Sequence, residues 1–138
     1  MGKHDHLISY VPKPDKPGEA ASLASKRKIA WMEKSFMPGA PYFEIMWYFK
    51  PTEPGPPPHT HDFDEVFGFI GADPDNPAEL NAVVKFKIED EWYTFTKSVL
   101  LYVPAGMPHS PMQIVSVEKP IIHFSGGQAV SGYSQDAT

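Results

Sequence analysis

The hydrophobic and polar positions divide the chain into short extended runs separated by turns. Tyr42 to Lys50 is the clearest run. It places Tyr42, Glu44, Met46, Tyr48 and Lys50 on one face and Phe43, Ile45, Trp47 and Phe49 on the other. Its density of aromatic residues favours a strand. Similar strands are expected at Phe63–Ile70, Asn81–Ile88, Trp92–Thr96, Ser98–Val103, Met112–Val117 and Pro120–Phe124, with a shorter one at Ile29–Glu33. Glu89-Asp90-Glu91 lies between two of them as a hairpin turn. Pro38-Gly39-Ala40-Pro41 is a turn, and Gly71 to Pro77 is a turn-rich insertion on the surface. Pro51 to Pro58 holds five prolines, which excludes a central strand. Many short strands and no long helical period predict an all-β sandwich or barrel.

The two ends are different. Residues 1–26 read as an extended N-terminal arm, through the charged, proline-rich Lys13-Pro14-Asp15-Lys16-Pro17-Gly18. Leu7, Ile8, Tyr10 and Val11 could pair with a sheet edge, including that of a second subunit, and Ala20 to Ser25 could form a helical turn. Residues 27–126 form the β domain, and 127–138 read as a flexible tail.

Composition narrows the class. At 138 residues one core is expected, burying roughly 70% of the unfolded chain's surface. The net charge is −5, and no basic run exceeds Lys26-Arg27-Lys28, so there is no footprint for nucleic acid or an anionic membrane. No apolar run approaches the roughly 18 residues of a spanning helix, and the polar N-terminus does not read as a secretory signal. Cysteine is absent, which excludes disulfides, thiol catalysis and cysteine-ligated metals and fits a cytoplasmic protein. Any metal must be held by His, Asp or Glu.

The chemistry concentrates in two segments. In Pro58-His59-Thr60-His61-Asp62-Phe63-Asp64-Glu65 the two histidines share one strand face, and Glu65, Phe63, Phe67 and Phe69 keep that parity. Imidazole and carboxylate together suit zinc, iron, manganese, nickel or copper. A His-x-His pair alone is weak evidence; His4 and His6 have the same spacing in the arm and are given no role. The second segment, Tyr102 to Pro111, ends a strand at Pro104, turns at Gly106 and presents His109 between Pro108 and Pro111.

These segments resemble the two motifs of the cupin superfamily. His59, His61 and Glu65 match the His-x-His-x3–4-Glu part of the first. Pro104, Gly106 and His109 match the Pro-x-Gly-x2-His part of the second. Glu53 stands at the first motif's leading Gly, and Gly71 follows Glu65 one residue early. Ser98 and Gln113 replace the second motif's opening Gly and final Asn. The resemblance spans residues 40–125. It implies a single jelly-roll barrel with one divalent metal (Fe, Mn, Ni or Zn) held by His59, His61, Glu65 and His109. Met46, Tyr48, Phe63, Phe67 and Phe69 are expected to line the pocket. Tyr48 and His123 are candidates for acting on a substrate, each with a plainer reading as a core residue.

Cupins span many chemistries, so only the site can name the function. The leading expectation is a metal-dependent oxygenase, isomerase or lyase acting on a small, largely apolar or aromatic molecule. No Arg lies in either motif, so a tight clamp on a highly anionic substrate is not indicated. The alternatives are a non-catalytic metal- and ligand-binding or sensor protein, and a purely structural barrel. A homodimer formed through sheet edges is also expected.

Overall fold

The computed structural model describes residues 2–10, 25–129 and 136–137. Its strands are β1 (Lys26–Met32), β2 (Tyr42–Tyr48), β3 (His59–Thr60), β4 (Glu65–Gly71), β5 (Glu79–Ile88), β6 (Glu91–Lys97), β7 (Val99–Val103), β8 (His109–Val117), β9 (Ile121–Gly127) and β10 (Asp136–Ala137). They form two antiparallel sheets, ordered β1-β2-β9-β4-β7 and β10-β3-β8-β5-β6.

Alternation explains how the sheets face each other. On β5, Leu80, Ala82, Val84 and Phe86 are buried while their neighbours are not. They pack with Met46, Tyr48, Phe67, Phe69, Val103, Ile114 and Ile121 from both sheets. The β5–β6 hairpin turns at Glu89, whose φ is +54° and whose N–H donates to the Pro108 carbonyl at 2.9 Å. That bond places the hairpin tip beside the segment that carries His109.

Several boundaries differ from those expected. β1 starts at Lys26, three residues early, with a register shift between Lys28 and Ala30. The expected Phe63–Ile70 strand begins at Glu65; His59 and Thr60 belong to the opposite sheet, and the chain crosses between sheets over residues 61–64. The proline segment forms no strand, but Gly55 bridges Met112. Gly126 and Gly127 extend β9, and Asp136 and Ala137 pair with Thr60 and His59, whereas a loose tail was expected from 127. In the arm, Asp5–Leu7 is a 3-10 turn, and Leu7, Ile8 and Tyr10 are exposed. Val11, the Lys13–Gly18 stretch and residues 20–24 lie outside the described residues.

Candidate metal centre

Two of the site's histidines, His59 and His109, are each positioned by their own local backbone. Three prolines precede His59, and its Nδ1 lies 2.7 Å from the Pro57 carbonyl. His109 opens β8, with Nδ1 3.1 Å from the Met107 carbonyl. A carbonyl can only accept, so both rings carry their proton on Nδ1 and present the Nε2 lone pair. Gly106, at φ +81°, donates its N–H to the His61 carbonyl at 2.9 Å, and Ala105 donates to Asp64 Oδ1 at 2.9 Å. These bonds join the two motif segments across the turn. Ser110, next to His109, holds a φ of +78°, a strained conformation for a non-glycine residue that costs on the order of 1–3 kcal/mol.

The structure brings all four expected ligands together. His59, His61 and His109 are buried, with one ligand atom from each within 4.8 Å of the others. Glu65 is 2% exposed, and its Oε1 lies 3.0 Å from His61 Nε2 and 3.2 Å from His109 Nε2. Burial works to raise the Glu65 carboxyl, but His109 and His61 outweigh it and hold the group below its ordinary value. Burial also lowers His59, against the pull of the Pro57 carbonyl, and the neighbouring imidazoles lower it further.

The donor set fits a divalent ion. Around a metal with ligands about 2.1 Å away, adjacent donors in an octahedral arrangement stand about 3.0 Å apart. The two Glu65–imidazole separations match that edge. Glu65 Oε1 and His109 Nε2 are fully enclosed and make no well-aligned hydrogen bond. A buried carboxylate oxygen this close to two imidazole nitrogens needs a proton or a metal ion shared between them, and the donor set suits the metal.

A cavity of about 1180 Å³ opens onto this cluster. Of the expected lining, Met46, Tyr48 and Phe67 are in its wall. Phe63 and Phe69 are not. Phe63 packs with Tyr42 and Ala129 and stacks on the His61 ring at 4.7 Å, outside the cavity lining. Phe69 is wholly enclosed in the core and stacks on His123 at 4.5 Å. Phe86 and Met112, from the opposite sheet, complete the apolar wall. The parity of β5 marks Phe86 as inward-facing, but not as a neighbour of His109, whose ring it stacks against at 6.3 Å. Lys26, Lys50, Glu33, Glu44 and Glu53 also line the cavity, so it is more polar than expected. Lys28, on the same face of β1 as Lys26, pairs with Glu44 at 3.5 Å.

Both candidates for acting on a substrate line the cavity. Burial, reinforced by Glu44, raises the Tyr48 phenol far above its ordinary value, so it stays protonated. His123 is buried with Nδ1 2.9 Å from the Gly68 carbonyl. Burial pushes it down to about 4, so it is neutral at pH 7.

The two-sheet arrangement recurs in solved structures. Oxalate oxidase aligns over 91% of this chain and 60% of its own, at 12% identity and a TM-score of 0.54. The fold is a cupin jelly roll. A candidate mannose-6-phosphate isomerase from Ralstonia eutropha aligns over 85% of this chain and 98% of its own, at 13% identity and a TM-score of 0.51. A salicylate 1,2-dioxygenase variant from Pseudoaminobacter salicylatoxidans aligns over 81% of this chain and 29% of its own, at 14% identity and a TM-score of 0.50. At these identities the likeness is one of fold. No family model and no curated protein matches the chain. No helix among the described residues is long and apolar enough to cross a membrane.

Proposed function

We propose that this chain is a member of the cupin superfamily and a metal-dependent enzyme of the oxygenase, isomerase or lyase type, acting on a small molecule with a largely apolar or aromatic body. The observation that carries the reading is the buried three-histidine cluster with Glu65 at its edge, opening onto a cavity walled by Met46, Tyr48, Phe67, Phe86 and Met112. His59, His61, His109 and Glu65 would hold one ion of iron, manganese, nickel or zinc, with cellular supply deciding among them. Bound there, the ion supplies Lewis acidity or, if redox-active, reaction with dioxygen. The chain's own residues shape the rest. Met46, Phe67, Phe86 and Met112 give the cavity its apolar wall, and Pro57 and Met107 fix which nitrogen His59 and His109 present.

A second reading, a non-catalytic metal and ligand binder, draws on a specific observation. Tyr48 is held protonated and His123 neutral, so neither titrates near pH 7. Dioxygen uptake by the iron-loaded protein against a panel of phenols and diketones separates the two. Turnover supports the enzyme. Ligand affinity without turnover in any metal form supports the binder. A homodimer and a cytoplasmic setting belong to the same proposal. β6 pairs on one side only among the described residues and leaves Trp92 and Tyr93 exposed, which suits edge-to-edge association. Light scattering during gel filtration tests it, with a monomer mass as the contrary result.

A further inference from the structure

His123 is the buried imidazole that the metal reading leaves unused. It lies on β9, opposite Met46 of β2 and Phe69 of β4. Its ring is clamped by Phe69 at 4.5 Å and flanked by Phe67 and Tyr48. Nδ1 is occupied by the Gly68 carbonyl, which fixes the proton on that nitrogen. Nε2 therefore carries a lone pair. It has no protein partner among the described residues, yet it is not one of the fully enclosed orphaned atoms, and His123 forms part of the cavity wall. An acceptor at the cavity wall is open to a donor carried by a bound molecule.

We infer that His123 is a specificity residue whose Nε2 accepts a hydrogen bond from the hydroxyl of a bound small molecule, so that the ligand class is a phenol, enol or related alcohol that keeps its proton. This rests on the cavity being the ligand site of the proposed function. The groups facing His123 support an acceptor, not a proton carrier. Burial opposes the imidazolium and outweighs the Gly68 carbonyl, which favours it; the Lys26 ammonium of β1 opposes it by less than either. Glu65 of β4 favours it only weakly, and Glu44 and the protonated Tyr48 of β2 line the same cavity. An anionic oxygen at this point would meet a lone pair, whereas a hydroxyl satisfies it. One such hydrogen bond separates a hydroxyl ligand from its methyl isostere by about three- to tenfold.

The test uses phenol and toluene as probes, with the full chain titrated with and without zinc(II). The His123 ring nitrogens are read by long-range proton–nitrogen NMR and assigned with His123→Phe, which keeps the aromatic packing. Phenol is expected to move Nε2 upfield, to leave Nδ1 in place, and to bind about three- to tenfold more weakly to the variant. Toluene affinity is expected to change by less than about twofold. Phenol that leaves Nε2 unmoved, whether it binds elsewhere or not at all, overturns the inference. So does an equal loss of both ligands in the variant. If the variant fails to fold, proton contacts between the His123 and Phe69 rings assign the signal and the wild-type spectrum still decides the matter. Zinc uptake in the same samples reports the metal reading separately. A protein that takes no zinc but shows the Nε2 shift refutes that reading and keeps this one.

Discussion

Replacing His123 with Phe should remove a defined part of the chain's pH-dependent stability. Burial lowers the folded-state value to about 4, from the ordinary 6.5. The unfolded chain therefore takes up this proton first as pH falls, so stability is present above about 6.5 and is lost on descending towards about 4. The full gap of about 2.5 units corresponds to about 3 kcal/mol. Between pH 7 and pH 4.5 about 2 kcal/mol of that is lost. Urea unfolding at the two pH values measures it. Other groups, including His59 and Glu65, also titrate here, so the informative quantity is the difference between wild type and variant. The variant starts less stable because it loses the Gly68 bond, but its decline on acidification should be about 2 kcal/mol smaller. Equal declines would refute the claim that His123 is buried in the neutral form.

Four further outcomes follow from the packing and the donor set. Gly68→Ala should destabilise by about 1–3 kcal/mol, because its Cβ would stand 2.3 Å from Phe124 Cε2; an unchanged urea midpoint would contradict this. Phe69→Ala should cost about 3–5 kcal/mol by urea titration, since the ring is wholly enclosed against His123. Zinc at a hundred times its dissociation constant should stabilise wild type by about 2.7 kcal/mol in thermal melts, and Glu65→Gln should weaken zinc binding by about tenfold or more. A melt indifferent to zinc and chelator would count against the donor set.

The regular part of the fold was legible because its signal is local. Leu80, Ala82, Val84 and Phe86 alternate with partly exposed neighbours, and Met46 and Tyr48 share one face of β2, so parity alone assigns their side. The candidate ligands were legible through spacing, but a shared strand face is not what brings them together. His59 and Glu65 do not share a strand. They sit in opposite sheets, and the crossing at 61–64 aims both at the same cavity. Phe63 has the expected parity, but its surroundings are Tyr42, Ala129 and the His61 ring. The pairing of Asp136 and Ala137 with β3 was hidden because it joins residues more than seventy positions apart, with no hydrophobic pattern to mark it. Lys26 belongs to the basic run Lys26-Arg27-Lys28, in which nothing marks one residue as inward-facing. Only its register opposite the buried Tyr48 turns it into the cavity.

The central claim is that segments fifty residues apart in the chain form one metal site. Elemental analysis of protein purified without an affinity tag or chelator, beside His59→Ala and His109→Ala, tests it most directly. The account predicts close to one transition-metal ion per wild-type chain and loss of that ion in both variants, each still folded by circular dichroism. A metal-free wild type that also refuses iron, zinc, manganese and nickel on reconstitution would contradict it.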